Sequence, residues 1–243
     1  MHRFFGLVMA AALSITALPA IAGGMQPAAA PAVPPAIAAP ANDWTGGYVG
    51  GSLAFISSSA LYCDDGAAYA QCDDPFDGLP EPSPEGGMIG ITAGYDWQNG
   101  NIVYGVAGDL LFGDLSGSAG SSGAPTGFGC VATCDLDIST IAMLRGRVGY
   151  AMGDILPFVT AGVAVTQATA SVVGVGSNDG NFTSVVLGVG GDYMLSDTLT
   201  AGFDVLHLFG GDDNFFDPGS PCGFCGVGDF SATIARVNVT YRF

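Results

Sequence analysis

Arg236-Val237-Asn238-Val239-Thr240-Tyr241-Arg242-Phe243 alternates in polarity at almost every step. Successive side chains of a β-strand point to opposite faces. Val237, Val239, Tyr241 and Phe243 therefore share one face, and Arg236, Asn238, Thr240 and Arg242 share the other. In water such an apolar face would need a second sheet packed over it. Whether one is available depends on the rest of the chain.

Working back from this stretch, period-two patterning recurs in segments 47–57, 87–98, 102–112, 138–152, 156–170, 182–195 and 198–209, with 230–243 as the eighth. Short connections (99–101, 153–154 and 196–197) alternate strictly with long ones rich in Gly, Pro, Ser and Asp (58–86, 113–137, 171–181 and 210–229). All eight strands are needed to close a ring, so no second sheet is left over. A closed ring has no unpaired edge and is one of the two structures that hydrocarbon tolerates. The expected fold is all-β: an eight-stranded antiparallel up-and-down transmembrane β-barrel, short turns periplasmic and long loops outside. Tyr95, Trp97, Tyr150, Tyr193, Tyr241 and Phe243 lie near the short-turn ends, where an aromatic girdle belongs.

Composition agrees. Of 243 residues, 49% are hydrophobic and only 11% charged, against roughly 25% charged in soluble domains. After the N-terminus no uninterrupted apolar run approaches the ~20 residues of a spanning helix. Ordinary soluble enzymes and helical transporters both fit poorly. Five arginines (Arg3, Arg145, Arg147, Arg236 and Arg242), no lysine and 22 acids give a net charge of −17. Such a chain repels phosphate backbones, which excludes nucleic acid as a partner.

Residues 1–22 read as a secretory signal peptide: Arg3 supplies the positive start, Phe4 to Leu18 the apolar core, and Ala20-Ile21-Ala22 a small-x-small cleavage site. Residues 23–46, largely Ala and Pro, read as a semi-rigid tether. The barrel takes residues 47–243.

The same alternation sorts the charges within strands. Leu144, Val148 and Tyr150 facing out leave Arg145 and Arg147 facing in; Arg236 and Arg242 face in as well. Asp96, Asp109, Asp192 and Asp204 point inward on four other strands. Four arginines thus meet four aspartates in a lumen that eight strands make only wide enough for side chains to fill. The set reads as a salt-bridge plug, with a charged ring lining an ion path as the alternative. The remaining inward residues (Gly50, Ser52, Thr160, Gly162, Gly190 and Gly202) are small or polar.

Six cysteines fall as three local couples: Cys63 with Cys72, Cys130 with Cys134, and Cys222 with Cys225. An oxidising compartment favours disulfides within each loop; bridges between loops and a zinc site formed by Cys222 and Cys225 with another couple are the alternatives. Fifteen of the 22 acids lie in the four long segments, a density that attracts divalent cations or a cationic partner at low salt. No cofactor and no dedicated metal site is expected. His207, near the outer end of its strand, lacks a serine two residues on, as a hydrolase would need on the same face.

Asp43-Trp44-Thr45-Gly46-Gly47-Tyr48-Val49-Gly50-Gly51 after an Ala/Pro tether resembles the opening of small outer-membrane barrels related to opacity proteins and OmpA-like domains, common in alpha-proteobacteria. Leu144-Arg145-Gly146-Arg147-Val148-Gly149-Tyr150 followed by Pro157-Phe158-Val159-Thr160-Ala161-Gly162 looks like that family's central hairpin, and Tyr241-Arg242-Phe243 like its closing strand. The resemblance implies the outer membrane of a Gram-negative bacterium. It also implies lipid and lipopolysaccharide as neighbours, and recognition of the final aromatic by the barrel assembly machinery. The expected role is a monomeric, non-enzymatic envelope protein presenting acidic, disulfide-pinned loops. A narrow pore for small solutes and a lipid-modifying enzyme are the rivals.

Overall fold

The computed structural model describes residues 42–64, 81–120, 133–172, 176–211 and 225–243; for 62–64 and 225–228 only the backbone is described. Every element among them is a strand: β1 (Gly46–Asp64), β2 (Glu85–Asn99), β3 (Ile102–Ala119), β4 (Cys134–Tyr150), β5 (Ile155–Val172), β6 (Gly176–Ser196), β7 (Leu199–Phe209) and β8 (Cys225–Arg242). Each pairs antiparallel with the next, and β8 with β1, so the expected eight-stranded barrel is closed. Two of the short turns use glycine where the chain needs a left-handed backbone, Gly100 at φ 61° and Gly153 at φ 67°.

The register fixes the barrel's width. From Tyr193 the ladder runs through Ala201, Val239, Gly51, Ile91, Leu110, Ala142 and Val165. It returns to β6 at Thr183, ten residues away. Eight strands with this stagger tilt by roughly 40° and leave an interior that side chains can fill.

The wall is apolar over a limited height. Tyr95, Trp97, Tyr104, Tyr150, Tyr193 and Tyr241 stand exposed around the short-turn end; Phe55, Phe112 and Phe209 stand exposed higher up. Tyr104 and Phe112 are eight residues apart on β3. At ~3.3 Å per residue and ~40° tilt that is a vertical span of about 20 Å, close to the ~25 Å height of a transmembrane apolar band between its girdles.

Seven strands differ from the sequence expectation by running on past the upper aromatics. Segments 58–64, 113–119, 134–137 and 176–181, expected as loop, are paired strand. There the polarity inverts. Ser57, Ser59, Ser116, Ser118, Asp137 and Asn181 are exposed on the outside. Leu115, Leu136, Ile138, Phe182 and Phe230 are buried on the inside. Above the membrane the barrel behaves as a water-soluble one with an oily centre. Gly, Ser and Asp on its wet face make these segments look like loop. Glu85, Asp114, Asp135, Asp137 and Asp179, all expected in loops, therefore sit on strands.

A second difference lies below. Residues 42–45, which composition groups with the tether, are folded under the periplasmic mouth, where Trp44 is fully buried with Val103, Ala151, Leu156 and Met194. Residues 1–41, and with them the signal-peptide reading, lie outside the described residues.

Candidate functional site

The eight inward charges fall into two neutral tiers. The lower one comes from the even strands. Arg147 on β4 grips Asp96 on β2 with both ends of its fork, Nε to Oδ1 at 2.8 Å and Nη2 to Oδ2 at 2.6 Å. Its Nη1 donates to Asp192 on β6 at 2.8 Å. Arg242 on β8 reaches Asp96 at 3.0 Å and donates to the Trp44 carbonyl.

The upper tier joins β3, β4, β7 and β8. Asp204 and Arg236 are direct ladder partners and pair in bidentate fashion, at 3.0 and 2.5 Å. Arg236 also donates to Asp109 at 2.5 Å, and Arg145 donates to the other oxygen of Asp109 at 2.8 Å. Arg145 closes the square against Asp204 at 3.7 Å. Planar guanidinium forks matched to carboxylates are the geometry that makes a buried ion pair tolerable, since charge-assisted hydrogen bonds offset the lost hydration.

Aromatic rings complete the lower tier, and their role is not visible in the strand pattern. The Arg147 guanidinium lies 4.9 Å from the Tyr48 ring centre and 5.1 Å from that of Phe158. Arg242 lies 5.3 Å from Trp44 and 5.4 Å from Tyr48. Ring faces stabilise cations that have lost their water. Trp44 is pinned in turn: its backbone N–H donates to Gln98 at 2.7 Å and its indole N–H to the Gly153 carbonyl at 3.3 Å. Beside it, Asp43 accepts the Thr45 backbone N–H at 2.8 Å, which holds its carboxyl below the usual carboxylate range.

Above the tiers the lumen is mainly apolar, which corrects the expectation of small and polar inward residues throughout. Met88, Leu111, Ile141, Met143, Val186, Leu206, Leu208 and Ile234 fill it, and the Phe182 and Phe230 rings stack at 4.6 Å nearer the top. Small Ala54, Ala164 and Ala168 and the buried hydroxyls of Ser58, Thr166 and Ser184 are interspersed among them. At the level of the ions lies a cavity of about 20 Å³ bordered by Arg145, Arg147, Asp192, Asp204 and Arg236, room for about one water.

Of the cysteines, Cys134 is fully buried and disulfide-bonded. Cys72, Cys130 and Cys222 lie outside the described residues, and of Cys63 and Cys225 only the backbone is described. His207 faces outward rather than into the lumen. Its Nδ1 is 2.9 Å from Thr233 Oγ1 on β8, and its ring meets Phe209 edge-on at 4.3 Å. Among the described residues no cluster of His, Cys, Asp and Glu is arranged to hold a metal ion.

An apolar band between aromatic girdles, around a ring of strands with its charges paired inside, defines a small outer-membrane β-barrel. Residues 11–243 match the outer membrane protein beta-barrel domain family, and the chain belongs to it. Its place is the outer membrane of a Gram-negative bacterium. It is 30% identical over 164 residues to the 25 kDa outer-membrane immunogenic protein of Brucella abortus, covering 66% of this chain and 63% of that protein. The chain thus aligns with somewhat less than two thirds of the length of these relatives. A 22 kDa outer membrane protein of Rhizobium leguminosarum is 30% identical over 132 residues, 54% of this chain and 48% of that one. The fold is similar to that of the outer membrane protein OprG from Pseudomonas aeruginosa, with TM-score 0.51 and 14% identity over 84% of this chain and 98% of that one.

Proposed function

We propose that this barrel is a non-enzymatic and non-conducting envelope protein, whose work is to carry acidic, disulfide-pinned loops and strand ends on the outer surface. The observation behind this reading is the filled lumen. Two ion tiers with a cavity of only about 20 Å³ between them, a tryptophan seated below and an apolar centre above occupy it. A hydrated ion would have to break buried pairs and then cross an apolar stretch, both steep barriers. The outward acids Glu85, Asp114, Asp137 and Asp179 stand above the apolar band, where they meet solutes and partners. The Brucella relative is named an immunogenic protein, in keeping with display at the cell surface. His207 engages a threonine and a phenylalanine, without a carboxylate to orient it among the described residues, so a hydrolytic role draws no support from its surroundings.

Planar-bilayer recording on the refolded full chain tests the proposal. Baseline current over long recordings is expected; steady, reproducible open events at low voltage would overturn it.

A further inference from the structure

The outer wall is not uniform. Between β4 and β7 it carries a groove of about 590 Å³, in the range of small-molecule sites. The groove runs along the wall because small residues sit where neighbours are large. Gly146, Ala161, Leu187 and His207 form one continuous ladder row, and Val148, Val159, Val189 and Val205 line the sides. His207 and Phe209 close its extracellular end.

That end is also the one place on the described apolar wall where an imidazole is presented to lipid. The row continues from His207 to Thr233 and then to Ser57, and just above them Ser59 and Ser231 hydroxyls lie 3.2 Å apart. With Nδ1 engaged by Thr233, no described residue partners Nε2, and the Phe209 contact holds the ring in place. All four arginines of the barrel are turned inward, so His207 is the only side chain on the described outer wall able to carry positive charge. Charge is distributed to match. Carboxylates crowd the outward ends of β2 to β6 (Glu85, Asp114, Asp135, Asp137 and Asp179), whereas the β7–β8–β1 side presents hydroxyls up to Asp229, which stands beyond a bulge.

We propose that this groove is a binding site for one molecule of the phosphorylated glycolipid of the outer leaflet. An acyl chain lies over Gly146 and Ala161, and the phosphate–sugar headgroup is hydrogen-bonded by His207 Nε2 and the Thr233–Ser57 hydroxyls. An anionic headgroup finds donors on β7, β8 and β1 and is repelled by the carboxylates at the outward ends of β2 to β6. The proposal is independent of whether the lumen conducts.

The test uses the full chain refolded in detergent micelles and titrated with diphosphoryl lipid A, with phosphatidylethanolamine of matched chain length as the comparison. Binding is read by native mass spectrometry and by the His207 ring resonances. Saturable one-to-one binding of lipid A, at least tenfold tighter than phosphatidylethanolamine, is expected. His207→Ala should abolish that preference while leaving weak acyl binding. Ala161→Leu should remove both, and Ala93→Leu, on the wall away from this groove, should change neither. Heat-modifiable migration identifies the folded variants, and if Ala161→Leu does not fold, His207→Ala and His207→Gln decide the matter. Equal retention of both lipids by the wild type, or an unchanged preference in folded His207→Ala, would overturn the proposal.

Discussion

Asp96 and Arg147 pair across an intervening strand, and a glycine makes this possible. In the ladder Asp96 stands opposite Gly105 on β3, and Gly105 stands opposite Arg147 on β4. With no side chain between them, carboxylate and guanidinium meet over the Gly105 backbone. The same device recurs where Gly202 separates Asp192 from Asn238.

Asp96 is fully buried and receives both Arg147 and Arg242. Removing one partner of a buried pair leaves an uncompensated charge, at a cost of about 3–5 kcal/mol. Asp96→Ala should lower the barrel's stability by that amount in urea unfolding from lipid vesicles. Asp96→Ala with Arg147→Met leaves Arg242 and Asp192 as a neutral remainder. It should recover part of the loss, and a double mutant with the summed cost of both singles would show that the pair is not coupled.

A Cβ at Gly105 would be driven into Asp96 Oδ1, a clash against a side chain already held by two arginines. At Gly191, on the outward side of β6, the nearest atom would be the Leu156 carbonyl at 3.9 Å, an ordinary contact. Gly105→Ala is therefore expected to cost about 1–3 kcal/mol, as overpacking does, and Gly191→Ala to stay within about 0.5 kcal/mol. Chemical unfolding of the two variants side by side checks the contrast.

The barrel and its strand order were legible because lipid on one side and ions on the other impose a period of two. Arg145 with Arg147, or Val237 with Val239, can be assigned to a face by counting alone. What counting misses is any feature where that contrast changes. Above Phe55 and Phe112 water replaces lipid, so Ser59, Ser116 and Ser118 face out while Leu115 and Leu136 face in, and these stretches read as loops. Trp44 was hidden for a different reason. It lies outside the alternating segments, beside a stretch of Ala and Pro, and its burial comes from Gln98, Gly153 and Arg242, distant in sequence. The pairing of particular charges was equally out of reach, because it depends on stagger around the ring. The spacing of Arg236 and Arg242 does not say that one meets Asp109 and the other Asp96.

Trp44 closes the periplasmic mouth, so its removal separates stability from conduction. Trp44→Ala should cost about 3 kcal/mol or more, in the range of large-to-small changes at buried aromatic sites. It also removes a ring from beneath Arg242. Because the upper tier and the oily centre stay in place, bilayer recordings on this variant should remain silent. Current through Trp44→Ala alone would mean that the tryptophan, rather than the ion tiers, is the barrier.

Two residues of β1 locate the upper edge of the membrane. Leu53 and Ser57 both face outward, four residues apart on one strand, with the exposed Phe55 ring between them. If the apolar band ends at Phe55, an arginine at Leu53 must stand in hydrocarbon, whereas one at Ser57 reaches water and headgroups. The cost of a lipid-facing arginine falls from about 2–4 kcal/mol at the midplane to about 0–1 kcal/mol near the interface. Leu53→Arg should thus destabilise the barrel by roughly 2–3 kcal/mol in reversible unfolding from lipid vesicles, and Ser57→Arg by less than about 1 kcal/mol. Equal losses at both positions would place the boundary above Ser57, and the extension of the strands beyond it would then lie in lipid rather than in water.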